Sequence, residues 1–226
     1  MRRNIAKFLI AGTIAIFVTA GWSGPENGLF PLGLREAAAQ SPASVEGFRS
    51  ARFGMSLETL YEALKKDFGV DKEMVTSTRN AIEKTTSLLI TIDDIIPQSG
   101  EAIIAYIFGF ESNKLIQINV IWNNEENTLA SAENLVATGN ILRNYFVAQG
   151  FPEAGRLMNQ RLTDGSIVMF RGVDAKGRAT VLQLLVEQGA VLEDGTAGDS
   201  KVASLTLSYI LDPIAPDIYK INAGDF

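Results

Sequence analysis

Apolar and polar positions alternate most clearly between residues 87 and 122. Ile116, Ile118, Val120 and Trp122 alternate with Gln117 and Asn119, the period of two that marks a strand with one wet face. Residues 102–110 (AIIAYIFGF) are apolar on both faces and rich in β-formers, as a centrally placed strand covered on both sides would be. Between these runs, residues 111–114 (ESNK) have the length and polarity of a hairpin loop. Residues 87–93 alternate again, with Leu88, Ile90 and Ile92 on one face, and Pro97, Ser99 and Gly100 break the chain before the next strand. Three consecutive strands with one apolar face form an antiparallel meander, and that face requires a helix over it.

A helix is predicted just upstream. Ser56 is a suitable N-cap, because its hydroxyl can accept a free N–H of the first turn. Met55 and Leu60 have the spacing of a hydrophobic staple. Leu57, Leu60, Leu64 and Phe68 form one stripe, and Gly69 ends the helix. Residues 48–53 (FRSARF) read as a short edge strand or a loop. Residues 71–86 are polar, with room for a second short helix.

The same order then recurs. Asn127 or Thr128 caps a second helix that runs to about Ala148, with Leu129, Ala132, Leu135, Val136, Leu142, Tyr145 and Phe146 as its apolar positions. Gly139 inside it costs about 1 kcal/mol relative to alanine, and lets the helix lie close to the sheet. Strands follow at 166–172, 179–187 and 202–211. Their core-facing residues include Leu182, Leu184 and Val186, then Ala203, Leu205, Leu207 and Tyr209. The loop 174–177 matches 111–114 in length, and 189–200 is a loose acidic loop. The tail, 212–226, contains Pro213 and Pro216 and is expected to run over the surface, pinned by Ile218, Tyr219 and Ile221. The expected fold class is α+β: two tandem α-β-β-β units (53–122 and 127–211) forming an antiparallel sheet covered by helices. Residues 53–226 make one domain, and 40–52 a flexible leader.

The N-terminus departs from this pattern. A short basic segment with Arg2, Arg3 and Lys7 precedes the apolar run 8–20, and small residues follow at 18–20 and 37–39. These are the parts of a secretory signal peptide, and the run is short for a membrane span. Residues 1–39 are expected to be that signal, cleaved after Ala39. Cleavage after Ala20 and an uncleaved anchor are the alternatives. Arg2-Arg3 leaves the twin-arginine route open beside the general secretory one. The expected location is the periplasm or outside the cell, with no stable membrane span after cleavage.

Charge and residue inventory narrow the chemistry. Without residues 1–39 the chain loses four of its 20 basic residues and two of its 26 acidic ones, leaving 16 and 24 and a net charge of −8. An acidic chain without a basic cluster is a poor partner for nucleic acid or anionic membranes. The chain has no His and no Cys. That removes the Ser-His-Asp triad, the cysteine nucleophile, and zinc or haem held by those residues. It also removes lipidation on cysteine. No P-loop, dinucleotide fingerprint or EF-hand spacing is present. The expectation is a non-enzyme with no cofactor and no metal. Asp93 and Asp94 are the nearest to an acid pair, but strand neighbours point to opposite faces. Glu193, Asp194 and Asp199 match no calcium loop, and Lys65-Lys66 reads as a solvated helix face.

Tyr106, Phe108, Phe110 and Trp122 form the best aromatic cluster. They pack the core under the helices, or they lie on an open sheet face and grip a partner. Residues 53–69, where Phe53-Gly54-Met55-Ser56 opens an amphipathic helix that ends in Phe68-Gly69, resemble the start of BamE-like outer-membrane-assembly domains. A tandem copy of such a unit is similar to β-lactamase inhibitory proteins. The chain departs from both in having no lipidation cysteine and no disulfides. The resemblance implies a periplasmic protein-binding module and assigns no functional residue.

The leading expectation is an exported, non-enzymatic module that binds an envelope protein or peptide, in envelope assembly or inhibition, with Tyr106, Phe108, Phe110 and Trp122 as the contact residues. The first alternative is a carrier of a small apolar ligand. The second is a carboxylate-based hydrolase. An apolar cavity of about 300 Å³ or more favours the carrier. Two carboxylates meeting in a cleft favour the hydrolase. A flat exposed aromatic patch favours the protein-binding module.

Overall fold

The computed structural model describes residues 42–123, 131–187 and 201–221. The chain begins with a hairpin of β1 (Gly47–Phe48) and β2 (Ala51–Arg52), then α1 (Leu57–Phe68). Ser56 caps α1 as predicted: its hydroxyl accepts the Thr59 N–H, and the Thr59 hydroxyl accepts the Ser56 N–H at 3.0 Å. This reciprocal capping box satisfies two donors that a bare helix end leaves open. Gly69 ends the helix in the left-handed region, at φ 67°. Leu60, Ala63 and Leu64 are its buried positions, and Phe68 packs against the core. Leu57, expected on that stripe, is exposed, and Met55 ahead of the cap packs against the core.

Eight strands then form one antiparallel sheet. The first four are β3 (Thr76–Arg79), β4 (Thr86–Ile92), β5 (Ala102–Phe108) and β6 (Leu115–Asn123). After α2 (Ala132–Val147) come β7 (Leu157–Arg161), β8 (Ile167–Val173), β9 (Ala179–Glu187) and β10 (Lys201–Ile210). Their order across the sheet is β3-β4-β5-β6-β10-β9-β8-β7. Two four-strand meanders therefore meet through their last strands. At this seam Val120 pairs with Leu207 and Trp122 with Leu205.

The repeated unit has four strands, not the three expected. The additional strands, β3 (TSTR) and β7 (LMNQR), are the two sheet edges. Their side chains are mostly exposed, so neither carries the apolar alternation that reveals a strand. A single turn of 3-10 helix precedes each: Lys72–Met74, where a second short helix was expected, and Glu153–Gly155.

Three register shifts interrupt the pairing, one of them in β8 between Val168 and Phe170, and the other two reset which expected residues face the core. A register shift between Ile107 and Phe108 sets Leu115, not Ile116, into the core with Ile118, Val120 and Trp122. A second shift, between Val202 and Ser204, skips Ala203, and Val202 packs against the core in its place. Each bulge adds one residue and inverts the alternation beyond it.

Ser131 caps α2, accepting the Asn134 N–H at 3.2 Å. The expected caps Asn127 and Thr128, and Leu129, lie outside the described residues, as do Glu193, Asp194 and Asp199. Leu135 and Phe146 are buried, whereas Val136 and Tyr145 are exposed. Gly139 faces the sheet: a Cβ there would meet the Met169 sulfur at 2.6 Å and a Leu205 methyl at 3.2 Å. The absence of a side chain sets how closely α2 lies on β8 and β10.

The tail is held by a residue the hydrophobic pattern does not reveal. The Asp217 carboxylate accepts the N–H groups of Glu111 and Ser112, each at 2.9 Å. Tyr219 meets the Phe110 ring edge-on and lies under the Lys84 ammonium. Ile221, an expected anchor, is exposed. Among the described residues no helix is long and apolar enough to cross a membrane.

Candidate functional site: a cavity over the central seam

The main apolar cluster fills the helix side of the sheet, and a cavity of about 620 Å³ opens within it. Its floor is the central seam, with Val120 and Trp122 from β6 and Leu207 and Tyr209 from β10. One wall is α2 and the turn after it, through Ile141, Leu142, Tyr145, Phe146, Gln149 and Phe151. The opposite wall is the N-terminal segment 43–49 with Arg52, and Ile95 and Ile96 close one side.

The flexible leader expected over residues 40–52 is described from residue 42 onward. In place of a free segment, Val45 and Ala51 are buried in the core, and a polar network clamps the segment to the β8–β9 hairpin. Arg178 lies at its centre. Its Nε donates to Asp174 at 3.0 Å, and its two terminal nitrogens donate to the Glu46 carboxylate at 2.5 and 2.6 Å. Asp174 also accepts backbone N–H groups of Val45, Lys176 and Arg178 at 2.8–3.0 Å. The Arg178 and Asp174 side chains are 8% and 2% exposed, so the charges are paired where water cannot screen them. Burial pushes the Asp174 pKa up, but these N–H groups and the guanidinium outweigh it and hold the carboxyl below its ordinary value. Glu46 is held well below its ordinary value by Arg178, then by Ser44 and Lys176.

The hairpin at the cavity mouth requires a glycine at position 47. Its φ is 143°, and a Cβ there would lie 2.1 Å from the Ala51 carbonyl oxygen. The hairpin tip is fixed to α1, where Asp67 accepts the Ser50 N–H at 2.7 Å and the Arg49 guanidinium lies 4.7 Å from the Phe68 ring centre. Phe48 stacks on Tyr209 at 5.7 Å, which joins the hairpin to the cavity floor. Burial, with the nearby Tyr145, pushes the Tyr209 hydroxyl pKa up, so it remains a neutral phenol. On the far side, the Trp122 indole N–H donates to the buried Ser99 hydroxyl at 3.2 Å, fixing the loop that carries Ile95 and Ile96.

No protein-family model, curated protein or solved structure matches this chain.

The four aromatic residues expected to grip a partner do not form an open face. Tyr106, Phe108 and Trp122 are at most 2% exposed and belong to the core. Core packing, the other reading of the same residues, is what the structure shows for them. Trp122 alone of the four lines the cavity. Phe110 is half-buried beside Tyr219. Burial, then the charge of Asp67, pushes the Tyr106 hydroxyl pKa up.

Asp93 and Asp94 do not form an acid pair. Asp94 has φ 46° and accepts the Gly100 N–H at 3.0 Å, closing the loop before β5, while Asp93 is exposed. Lys65 pairs with Asp71 on the solvated side of α1, and Lys66 is exposed. The residues missed from the sequence are those of the N-terminal wall and its clamp. Two signals were present there. Asp174 opens a loop that ends in Gly177, and Phe48 sits in a segment otherwise read as leader.

Proposed function

We propose that this chain is an exported, non-catalytic binding protein that holds a small apolar ligand in the cavity between α2 and the N-terminal hairpin. The observation that carries this reading is the cavity itself. At about 620 Å³ it falls within the range of small-molecule sites, and its floor and α2 wall are mainly apolar, with Thr180, Gln149 and the hydroxyls of Tyr145 and Tyr209 as their polar groups. Export rests on the signal-like pattern of residues 1–39.

Binding of an envelope protein or peptide is the weaker reading, because three of its four intended contact residues lie inside the core. The hydrolase reading called for two carboxylates in a cleft. Glu46 is the one carboxylate among the described residues of the lining, and it is tied to Arg178 and Lys176.

The test is titration of the full chain with a neutral naphthylamine probe, read by energy transfer from tryptophan. In a Trp22→Phe background, which leaves Trp122 in the floor as the one tryptophan, the energy transfer is expected to rise with probe and saturate. Ile141→Glu places a charge in the α2 wall at a side chain already 57% exposed. It is expected to weaken binding by about tenfold or more, since an ion facing an apolar ligand loses hydration, and to leave the melting temperature nearly unchanged. Unsaturable uptake, or equal affinity in this variant, would contradict the reading.

A further inference from the structure

We infer that the ligand is an anionic amphiphile, whose acyl chain lies over the β6–β10 seam and whose carboxylate or phosphate is held by Arg49 and Arg52 at the cavity mouth. This rests on the cavity being a ligand site and adds the class of molecule it takes. The lining brings three charged side chains to the cavity, Glu46, Arg49 and Arg52. Glu46 is already neutralised by the Arg178 and Lys176 cations. Arg49 and Arg52 have no ion pair among the described residues. The site therefore presents two cations outside any ion pair in a chain whose net charge is −6, with Asp67, which accepts the Ser50 N–H, as a carboxylate close to Arg49.

The geometry of both guanidinium groups leaves them able to bind an anion. Arg49 lies over the rings of Phe48 and Phe68, at 5.7 and 4.7 Å from their centres. Contact with ring faces neutralises none of the guanidinium charge and supplies no acceptor for its N–H groups. Arg52 directs one terminal nitrogen to the carbonyl oxygens of Arg49 and Ala51. These bonds orient the side chain against the hairpin and neutralise none of its charge. The hairpin is itself fixed to α1 through Asp67 and to the floor through Phe48. The two cations are thus held by a rigid turn at one end of an apolar space. A long-chain anion is the ligand that satisfies both ends at once, since planar guanidinium groups pair with carboxylate or phosphate oxygens through charge-assisted hydrogen bonds.

The experiment compares four ligands with the same twelve-carbon chain on the full-length protein: dodecanoate, dodecyl phosphate, dodecanol and dodecyltrimethylammonium. Affinities come from displacement of the naphthylamine probe. The anions are expected to bind about tenfold or more tightly than the alcohol, as charge-assisted hydrogen bonds imply, and the cation more weakly than the alcohol. Dodecanoate above dodecyl phosphate identifies a fatty-acid-type head, and the reverse order a phosphate head. In Arg49→Gln/Arg52→Gln the ratio of acid to alcohol affinity is expected to fall to about one, and raised salt to lower the parent ratio. Equal binding of anion and alcohol by the parent chain would overturn the head-group assignment and leave the apolar cavity standing. Displacement by none of the four would overturn both.

Discussion

Asp174→Ala is expected to destabilise the protein by about 3–5 kcal/mol, the usual result of removing one partner from a buried ion pair. Its carboxylate satisfies the Arg178 guanidinium and three backbone N–H groups, one of them from Val45, 129 residues earlier. Alanine leaves a nearly buried guanidinium with Glu46 and Ser44 only, and leaves the Val45 N–H without an acceptor. The loss is a large part of the total stability of an ordinary domain, so urea unfolding should show a much lower midpoint. Where the alanine chain does not fold, Glu46→Gln supplies the milder test. It removes charge from the exposed arm of the clamp while Asp174 continues to pair with Arg178. That variant should expose the amides of residues 43–48 to faster hydrogen exchange and leave those of β9 protected. Uniform acceleration across the sheet would show that the clamp supports the whole fold and not the cavity wall.

Acid should act on the same clamp. Both carboxyls titrate below their ordinary values in the folded chain. Their contribution is therefore complete above the unfolded carboxylate pKa of about 4 and is lost as pH falls through the folded values. Protection factors at residues 43–48, taken against the intrinsic exchange rate at each pH, should fall on acidification below about pH 4, before global unfolding, and a tightly held ligand should be released over the same range. Acid protection at these amides would contradict the sign.

The second large effect is expected at Trp122. Truncation to alanine empties the centre of the seam and should cost about 3–5 kcal/mol, as for other buried aromatic side chains. It also removes the cavity floor, so ligand affinity should fall with stability. Trp122→Phe separates the two roles. An aromatic ring is kept at some loss of volume, and the Ser99 hydroxyl loses its indole donor while still bonded to Ile96 and Gly100, for about 1 kcal/mol from the bond. The loop carrying Ile95 and Ile96 should then loosen, and the ligand should dissociate faster while the sheet remains intact. Chemical denaturation of both variants, with stopped-flow probe release, distinguishes these effects. Equal losses in the two variants would show that the indole N–H, and not ring volume, sets the contribution.

Local chemistry carried most of the legible part of the fold. The first helix is readable to the residue, because Ser56 and Gly69 act through their own side chain and backbone freedom. Strands β4, β5 and β9 are readable because each is a run of mostly apolar, β-forming residues buried on both faces and bounded by polar or turn residues. Strands β3 and β7 leave no such trace, since edge strands facing water need no apolar side chains. The faces of β6 and β10 depart from simple alternation where bulges at Ile116 and Ala203 shift it, and nothing in LIQINVIW marks the extra residue. The candidate site was the least legible. Val45, Ile95, Trp122, Ile141 and Leu207 come from five separate stretches, and their proximity is a property of how the two meanders join. The aromatic cluster was found, but in a strand with both faces apolar the composition does not separate a core from a contact surface.

A ligand in the cavity over the seam can be located on the chain itself. Photocrosslinking with a diazirine-bearing dodecanoate, mapped by peptide mass spectrometry on the full chain, tests this directly. Saturable labelling is expected only in the cavity lining, on the seam at Val120, Trp122, Leu207 and Tyr209 and on the walls at residues 43–52, 95–96 and 141–151, competed away by unlabelled dodecanoate. Labelling spread over the opposite face of the sheet, at Val168, Val181 and Ile210, or labelling that unlabelled ligand does not reduce, would contradict it.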